Sequence, residues 1–410
     1  MMHSCKISET GTAKLPGFVE KRMDDWFDRL QNLWQGDHLL HGIAPGPEAI
    51  HLSSNDYLCL SGERELVNAQ LKTLVGQKDL LMSATFLHGD NPQAKMERKM
   101  AHFLRAEDGV LCQSGWAANV GLLQTLAREG VPVYLDMMAH ASLWEGVNTA
   151  RGRAIPFRHN DAEHLERQIR ENGQGIVVVD SVYSTNGSMC PLEEIVAVAE
   201  VEGNIIIVDE SHSIGTHGPG GAGVVVDLDL QDRVHFRTAS LAKAFAGRAG
   251  FVTCSSIFKS YFLSESRPAI FSSCLLHHEI DWFNAAIDFI IAADARRERL
   301  FQTSNRLRLG LSDLGYNVSD GSEQIIALEA GPEPSTKVLR NELQARGVFG
   351  AVFCAPATPK NRSLMRLTIN SGLTDIEIEH VLQVCKEIRS AVDLPSWPST
   401  RRLQRRASTV

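Results

Sequence analysis

The strongest structural signal in the chain is the sequence Ile205-Ile206-Ile207-Val208-Asp209-Glu210-Ser211-His212. Its first four residues are apolar and β-branched, and they do not alternate with polar residues. Both faces of the strand that they form are therefore expected to be buried, as in a parallel sheet covered by helices. Asp209 follows at the carboxyl end of this strand, which is the sheet edge where open α/β folds bind ligands.

Similar short apolar runs recur on both sides of this segment and are separated mostly by stretches with helical spacing. The runs are Gly109–Cys112, Val131–Leu135, Ile176–Val179, Val234–Phe236 and Phe251–Thr253. This alternation predicts a large three-layer α/β domain with a mainly parallel sheet, which we place at residues 46–280.

The flanking regions predict three further parts. Residues 1–45 form an N-terminal segment with a helix over 17–40, and residues 281–395 form a small α+β domain. That domain has strand-like Gln324–Glu329, Val348–Cys354 and Met365–Ile369, followed by a helix after the capping box at Thr374–Glu377. The basic tail, residues 396–410, is expected to be disordered.

Composition excludes several classes of protein. The chain has 410 residues, of which 43% are hydrophobic and 22% charged, and a net charge of −8 gives no reason to expect nucleic-acid binding. No apolar run approaches the ~18–20 residues of a membrane span, and Met1–Lys14 lacks the apolar core of a secretory signal. The eight cysteines contain no C-x-x-C pair, so neither a zinc site nor a disulfide framework is expected, and the cytoplasm is the expected compartment.

Four polar features follow strands, and each has a plain structural alternative. Asp209 is either a ligand-binding carboxylate or a turn former. Lys243 lies among Leu241, Ala242, Ala244 and Phe245, where burial favours the neutral, nucleophilic amine, although a lysine can also extend from such a segment to solvent.

The other two features are helix starts. Ser114-Gly115-Trp116 follows a strand and opens a helix whose amides suit a phosphate, but this arrangement is common. His140 follows another strand, and a lone histidine is more often structural than catalytic.

Taken together and in this order, these segments resemble the cofactor site of the α-oxoamine synthases, a family of fold-type I pyridoxal-phosphate enzymes. The matching segments are Ser54–Leu58, Ser114–Trp116, His140–Ser142, Val182–Gly187, Asp209–Gly215, Ser240–Lys243 and Arg267–Ser272. Within the family, Gln113–Trp116, Asn119–Thr125, Ser142–Gly146, Thr216–Pro219 and Arg248–Gly250 are most similar to the quorum-sensing autoinducer synthases of the cholera type. Asn186 and Ala242 depart from the usual Asp and Gly, which bears on the substrate rather than on the reaction class.

The resemblance implies pyridoxal 5'-phosphate as the cofactor and gives roles to the residues around it. Lys243 would hold the cofactor covalently, Asp209 would pair with its pyridine nitrogen, and His212 would hydrogen-bond its phenolic oxygen. His140 would stack on the ring. The same resemblance assigns further cofactor contacts to Ser114, Gly115, Trp116, Ser184, Ser240, Ser272 and Ser273. The last two would reach the phosphate of a neighbouring subunit, which implies a homodimer with a shared site.

The resemblance also implies a reaction. Arg366, with Asn55 nearby, would bind the carboxylate of an amino acid, and Lys243 would move the Cα proton. The carbanion would attack an acyl-CoA, coenzyme A would leave, and the resulting β-keto acid would lose carbon dioxide to give an α-aminoketone. The subgroup implies a medium-chain acyl-CoA, with S-adenosylmethionine or 2-aminobutyrate as donor, and a product that is a precursor of an α-hydroxyketone signal. Trp116, Trp144 and Phe271 are candidates to line the acyl path.

Three alternatives stay open from the sequence. The chain can be a housekeeping member of the same family, such as an 8-amino-7-oxononanoate, 2-amino-3-ketobutyrate or 5-aminolevulinate synthase. It can be an aminotransferase or lyase of the same fold. It can also be a cofactor-binding regulatory protein without chemistry, although no DNA-binding extension is visible in the sequence.

Overall fold

The structure is a computed structural model that describes residues 13–75 and 82–407, with side chains up to residue 403. The helices are α1 Gly17–Trp34, α2 Arg64–Leu74, α3 Pro92–Phe103, α4 Gly115–Leu126, α5 Ala141–Ala150, α6 Ala162–Asn172, α7 Leu192–Val201, α8 Val224–Asp227, α9 Ser256–Glu265, α10 Arg267–Phe271, α11 His277–Ile291, α12 Asp294–Asp313, α13 Glu333–Gln344, α14 Asp375–Glu387 and α15 Pro398–Ala407. The strands are β1 Ile50–His51, β2 Asp108–Cys112, β3 Pro132–Asp136, β4 Arg153–Phe157, β5 Ile176–Asp180, β6 Ile205–Asp209, β7 Phe236–Ser240, β8 Gly250–Cys254, β9 Ile325–Gly331, β10 Val348–Phe349, β11 Ala351–Phe353 and β12 Ser363–Thr368. The first residues of the predicted N-terminal segment, 1–12, and the end of the predicted tail, 408–410, lie outside the described residues.

The central sheet has seven strands in the order β2-β8-β7-β6-β5-β3-β4. All neighbouring pairs are parallel except those that β8 forms with β2 and β7. Both faces are buried: Val177 and Val179 of β5 pack with α6 and α7, whereas Ile176 and Val178 pack on the other face with α4 and α5. The predicted three-layer α/β fold is confirmed, because unbroken β-branched runs did mark strands covered on both sides.

One strand of this sheet was missed in the sequence, and one was misplaced. β4 lies at the edge and, among the described strands, pairs with β3 alone; it carries Pro156 and exposed residues that hide its strand character. The predicted run Val234–Phe236 ends where β7 begins, at Phe236. The strand was misplaced because the polar residues of Phe236–Ser240 concealed it, although it is largely buried.

The C-terminal region contains the antiparallel sheet β11-β12-β9, and β10 pairs with β1 in parallel. The chain after β1 continues along this region: Leu52 N donates to Phe349 O at 2.7 Å, and Thr368 N donates to Leu52 O at 2.7 Å. The segment around residue 50 was predicted to belong to the large domain, but its pairing is with the C-terminal region. The division at residues 45 and 280 stays a prediction.

The expected disorder from residue 396 onward differs from the structure. Trp397 is buried, α15 begins at Pro398, and Ser399 Oγ donates to Glu329 O at 2.6 Å. Arg402 forms an ion pair with Glu329 at 2.9 Å. The many basic residues suggested a solvated tail. The contacts that hold the helix in place come instead from Trp397, from Ser399 and from Arg402 itself, which binds Glu329.

Side-chain caps mark the starts of two helices, and the capping box predicted at Thr374–Glu377 is confirmed. Asn91 caps α3 by accepting a hydrogen bond from Ala94 N, and Thr374 forms a capping box with Glu377 at the start of α14. Among the helices of the described residues, none is both long enough and apolar enough to cross a membrane.

Candidate active site

A group of polar side chains meets at the carboxyl edge of the central sheet. Asp180 ends β5, Asp209 ends β6, and Lys243 follows the end of β7 by three residues. The starts of α4 and α5, capped by Ser114 and His140, come to the same edge. Parallel strands place their carboxyl ends side by side, so the predicted residues converge as expected from the strand pattern.

Asp209 is a buried carboxylate held by neutral donors. Its Oδ2 accepts from Asn119 Nδ2 at 2.7 Å, and its Oδ1 accepts from Ser211 N at 2.8 Å. Within residues 13–75 and 82–403, no basic side chain forms an ion pair with it. A buried carboxylate without a cation is unfavourable, so this position suits a ligand that carries positive charge.

Lys243 lies in a turn that other parts of the site fix in place. Ser240 N donates to Ser211 Oγ at 2.7 Å, and Leu241 N donates to Ala249 O at 2.9 Å. Burial lowers the pKa of Lys243, the positive charge of Arg366 lowers it further, and Asp209 opposes both effects. The amine is therefore more easily deprotonated than an ordinary lysine.

The start of α4 is fitted against the segment before Lys243. Ser114 caps the helix by accepting from Ala117 N at 3.1 Å. A Cβ atom on Gly115 would lie 2.6 Å from Ser240 Cβ, so only glycine permits this close approach. The first amides of a helix have no acceptor within the helix, which makes this end suitable for an anion such as phosphate.

His140 caps α5 and is linked to Asp209 through side chains. Its Nδ1 lies 2.8 Å from Ser142 Oγ, and Asn119 Nδ2 donates to the same Ser142 oxygen at 2.9 Å. Burial and the charge of Lys243 lower the pKa of His140, with Asp209 acting in the opposite direction. The Trp116 ring lies beside His140, with centroids 6.4 Å apart.

His212 is buried and bonded on two sides. Its Nδ1 lies 2.5 Å from Tyr57 Oη, and its carbonyl accepts from Gln324 Nε2 at 2.7 Å. Burial, followed by the charges of Lys243 and Arg366, holds the pKa of His212 well below its ordinary value. The imidazole is therefore neutral.

Arg366 is a buried guanidinium on β12 that faces neutral acceptors. Nη2 donates to Asn55 Oδ1 at 3.0 Å, and Nη1 donates to Ser184 O at 2.8 Å. The guanidinium carbon lies 4.5 Å from the centroid of the Phe353 ring. No described carboxylate pairs with it, and Nε is buried without a partner, so the group suits a ligand carboxylate.

The remaining predicted residues are less closely engaged. Ser184 contacts Arg366 through its carbonyl, and Ser272 donates its hydroxyl to Pro268 O. The carbonyl of Ser273 accepts from Gln113 Nε2 at 2.6 Å. Gln113 is the residue before Ser114, which caps α4. The contribution of the two serines to a neighbouring subunit stays a prediction.

Four residues of the site had no predicted role: Tyr57, Asn119, Asp180 and Gln324. Asn119 had a detectable signal, because it is the one polar residue in the run Gly115–Leu123 at the start of α4, and it is 2% exposed. Asp180 accepts from His140 N at 3.3 Å, and burial, with the charge of Asp209, raises its pKa well above the ordinary value. Tyr57 and Gln324 reach the site only through tertiary contacts.

Comparisons with known proteins agree with this arrangement. Residues 47–384 match the aminotransferase class I and II family. The chain is 43% identical over 378 residues to the CAI-1 autoinducer synthase of Vibrio campbellii, covering 92% of this chain and 96% of that protein. It is 29% identical over 355 residues to the 8-amino-7-oxononanoate synthase of Lysinibacillus sphaericus, covering 84% and 90%. A solved structure described as SPT with PLP has a TM-score of 0.84 at 24% identity and covers 92% of this chain and 99% of that chain.

Proposed function

The chain belongs to the aminotransferase class I and II family, and from this premise we propose that it joins an amino acid to an acyl-CoA with pyridoxal phosphate as its cofactor. One observation carries the proposal. Lys243 lies close enough to Asp209 and Arg366 for both charges to shift its pKa, and neither group has an ion-pair partner among the described residues. A site with a nucleophilic amine, a position for a cationic ring and a position for a substrate carboxylate suits amino-acid chemistry on this cofactor.

The residues present fit pyridoxal phosphate. Asp209 has no cationic partner in the described part of the chain and would face the pyridine nitrogen. The start of α4 at Gly115 and Trp116 would receive the phosphate, with the Ser240 hydroxyl beside it. Lys243 would hold the cofactor through its amine. When bound, the cofactor supplies an electron-withdrawing ring that stabilises negative charge at the substrate Cα.

The side chains of this chain would then divide the remaining tasks. Arg366 orients the substrate by its carboxylate, using the donors that Asn55 and Ser184 do not occupy. Lys243, with its lowered pKa, removes and returns the proton at Cα. Asp209 favours a proton at the ring nitrogen, and the neutral His212 offers a hydrogen bond to the phenolic oxygen.

The finer proposal is the synthesis of an α-aminoketone precursor of an α-hydroxyketone signal, from a medium-chain acyl-CoA and S-adenosylmethionine or 2-aminobutyrate. The 43% identical relative named as an autoinducer synthase supports it. Trp116, about half exposed beside His140, is a candidate wall for the acyl chain. Phe271 is exposed, whereas Trp144 packs against the core and donates to Ala139 O, which favours a structural role. A cytoplasmic homodimer is part of the same proposal.

A second candidate is a housekeeping acyltransferase of the same family. The 29% identical relative named as an 8-amino-7-oxononanoate synthase favours it. The two candidates differ in the acyl donor that the site accepts, and not in the residues that surround Lys243.

Mass spectrometry of the products tests both candidates. Purified protein with pyridoxal phosphate is given each amino donor with decanoyl-, pimeloyl-, acetyl- or succinyl-CoA. We expect an α-aminoketone with a medium-chain donor and no product from Lys243→Ala, while Lys95→Ala, a change on the surface, behaves like wild type. Preference for a pimeloyl, acetyl or succinyl donor would support the housekeeping candidate, and release of a keto acid would overturn the acyltransferase proposal.

A further inference from the structure

Tyr57 lies in the segment Ser54–Leu58, in which only Asn55 was given a role, and its hydroxyl oxygen is 2.5 Å from Nδ1 of His212. The tyrosine is fully buried. Its backbone is fixed from the C-terminal region, since Ser371 N donates to Tyr57 O at 2.8 Å. The phenol is therefore brought to His212 by the fold rather than by a flexible side chain on the surface.

Both partners of this hydrogen bond are neutral. Burial raises the pKa of Tyr57 above its ordinary value, with Arg366 and Gln324 opposing that effect, and burial lowers the pKa of His212. A neutral imidazole has one N–H donor and one acceptor nitrogen. Either the phenol donates to Nδ1, or a proton on Nδ1 is donated to the phenol oxygen.

The buried hydroxyl of Tyr57 distinguishes these two arrangements. Among the described residues, Nδ1 of His212 is the one acceptor within hydrogen-bond distance of this hydroxyl. Gln324 does not offer another, since its Nε2 donates to the carbonyl of His212 at 2.7 Å and its Oε1 has no hydrogen-bond partner among the described residues. If Nδ1 carried the proton, the buried O–H of Tyr57 would have no acceptor, so Nδ1 must be the acceptor.

We propose that Tyr57 is a positioning residue that holds His212 as the tautomer with its proton on Nε2. The hydrogen bond made by one ring nitrogen of a histidine sets the state of the other. Nε2–H is then a fixed donor, and in the proposed function, on which this inference rests, it serves the phenolic oxygen of the cofactor. Without Tyr57 both tautomers become accessible, and the donor is present only part of the time.

The direct test is ¹⁵N NMR of the imidazole nitrogens of the full-length protein, with and without pyridoxal phosphate, using His212→Gln to assign the signals. In wild type we expect Nδ1 of His212 to have an acceptor shift and Nε2 a protonated shift. In Tyr57→Phe we expect both shifts to move toward a mixture of tautomers. Tyr316→Phe is the matched control, because it removes another buried tyrosine hydroxyl that donates to Cys385 O at 2.8 Å away from the site.

A double-mutant cycle tests whether Tyr57 acts through His212. Tyr57→Phe is expected to lower kcat/KM about 5- to 10-fold, in line with the loss of one hydrogen bond, and to have no further effect in a His212→Gln background. Additive losses, a proton on Nδ1 in wild type, or an unchanged tautomer in Tyr57→Phe would each overturn the proposal. If Tyr57→Phe does not fold, fluorotyrosine at position 57 is the second variant. Its more acidic hydroxyl is a stronger donor and should move the Nδ1 signal of His212 away from its wild-type position. A signal that stays at the wild-type position would refute the proposal.

The NMR result does not depend on the reaction. If the tautomer is as proposed but no α-aminoketone forms, the proposed function fails and the positioning role stands. If the product forms while the tautomer is unaffected by Tyr57→Phe, the positioning role fails alone.

Discussion

Asn119 and Asp209 are joined by a hydrogen bond of 2.7 Å from the amide nitrogen to Oδ2 of the carboxylate. The same nitrogen donates to Ser142 Oγ at 2.9 Å, so both of its hydrogens are used. The Asn119 oxygen is buried and has no hydrogen-bond partner among the residues that the structure describes. Asn119 therefore acts through its two N–H donors, which connect the Asp209 carboxylate to the Ser142–His140 pair.

Asn119→Leu is expected to weaken the binding of pyridoxal phosphate by roughly 10- to 100-fold. The change removes the hydrogen bond that holds the Asp209 carboxylate in place for the pyridine nitrogen, and one hydrogen bond to a charged group is worth about 1.5–3 kcal/mol. The measurement is a spectroscopic titration of the cofactor-free protein. Asn204→Leu is the control, since Asn204 is equally buried and accepts from Gly175 N at 2.7 Å at the opposite end of β6. It should lose stability but keep its cofactor affinity. Equal affinities for the Asn119 variant and wild type would contradict the role given to Asn119.

Arg366→Gln is expected to raise the KM for the amino acid by about 10- to 100-fold. A guanidinium binds a carboxylate with charged hydrogen bonds that an amide replaces poorly. Steady-state kinetics with varied amino acid and saturating acyl-CoA give the comparison. The control is Arg362→Gln, which removes an ion pair with Glu329 just before β12, the strand that carries Arg366. This variant should leave KM near the wild-type value. If the two variants affect KM equally, Arg366 does not bind the substrate carboxylate.

The amine of Lys243 should become reactive at a lower pH than an ordinary lysine. Burial and the charge of Arg366 lower its pKa, and Asp209 raises it. The rate of pyridoxal-phosphate uptake by the cofactor-free protein should therefore rise with pH to a midpoint below the usual value of about 10.4. The midpoint should move to higher pH in Arg366→Gln and to lower pH in Asp209→Asn. Shifts in the same direction in both variants would show that these two charges do not set the pKa of Lys243.

The sequence predicted those features that depend on local pattern. β5 and β6 were found because strands buried on both faces have no polar alternation, and Asp209 was found because it ends such a strand. Thr374 was recognised as a cap because a capping box depends on two residues three positions apart. The family resemblance then supplied roles that no single segment carried.

The features that were missed depend on distant parts of the chain. Tyr57 meets His212 because β1, which lies shortly before Tyr57, pairs with β10. Nothing in the sequence of either strand specifies the other as its partner. Gln324 meets His212 in the same way, across more than a hundred residues. β4 was missed because an edge strand tolerates proline and exposed side chains. Local patterns thus located the reacting groups, and tertiary pairing decided which side chains orient them.

The residue after Asp209 makes a prediction about stability. Glu210 is fully buried, its Oε1 accepts from Val225 N at 3.0 Å, and its Oε2 lies 3.5 Å from Nη1 of Arg237. Burial raises the pKa of Glu210 and Arg237 opposes this. Removing one member of a buried ion pair leaves the other charge uncompensated, which costs about 3–5 kcal/mol. Arg237→Met should therefore be strongly destabilised.

The pH dependence of that loss identifies its cause. In Arg237→Met, the folded-state pKa of Glu210 rises further above its unfolded value of about 4.3. The wild-type pKa of Glu210 is raised less, so between the folded-state pKa values of wild type and variant only the variant holds this proton, and its stability deficit grows as pH rises through that window. Urea unfolding from pH 5 to pH 8 measures the deficit. Adding Glu210→Gln to Arg237→Met should restore most of the stability at pH 8. A deficit that is constant with pH, or that Glu210→Gln does not relieve, would show that lost packing of the arginine side chain, rather than an unpaired carboxylate, destabilises the variant.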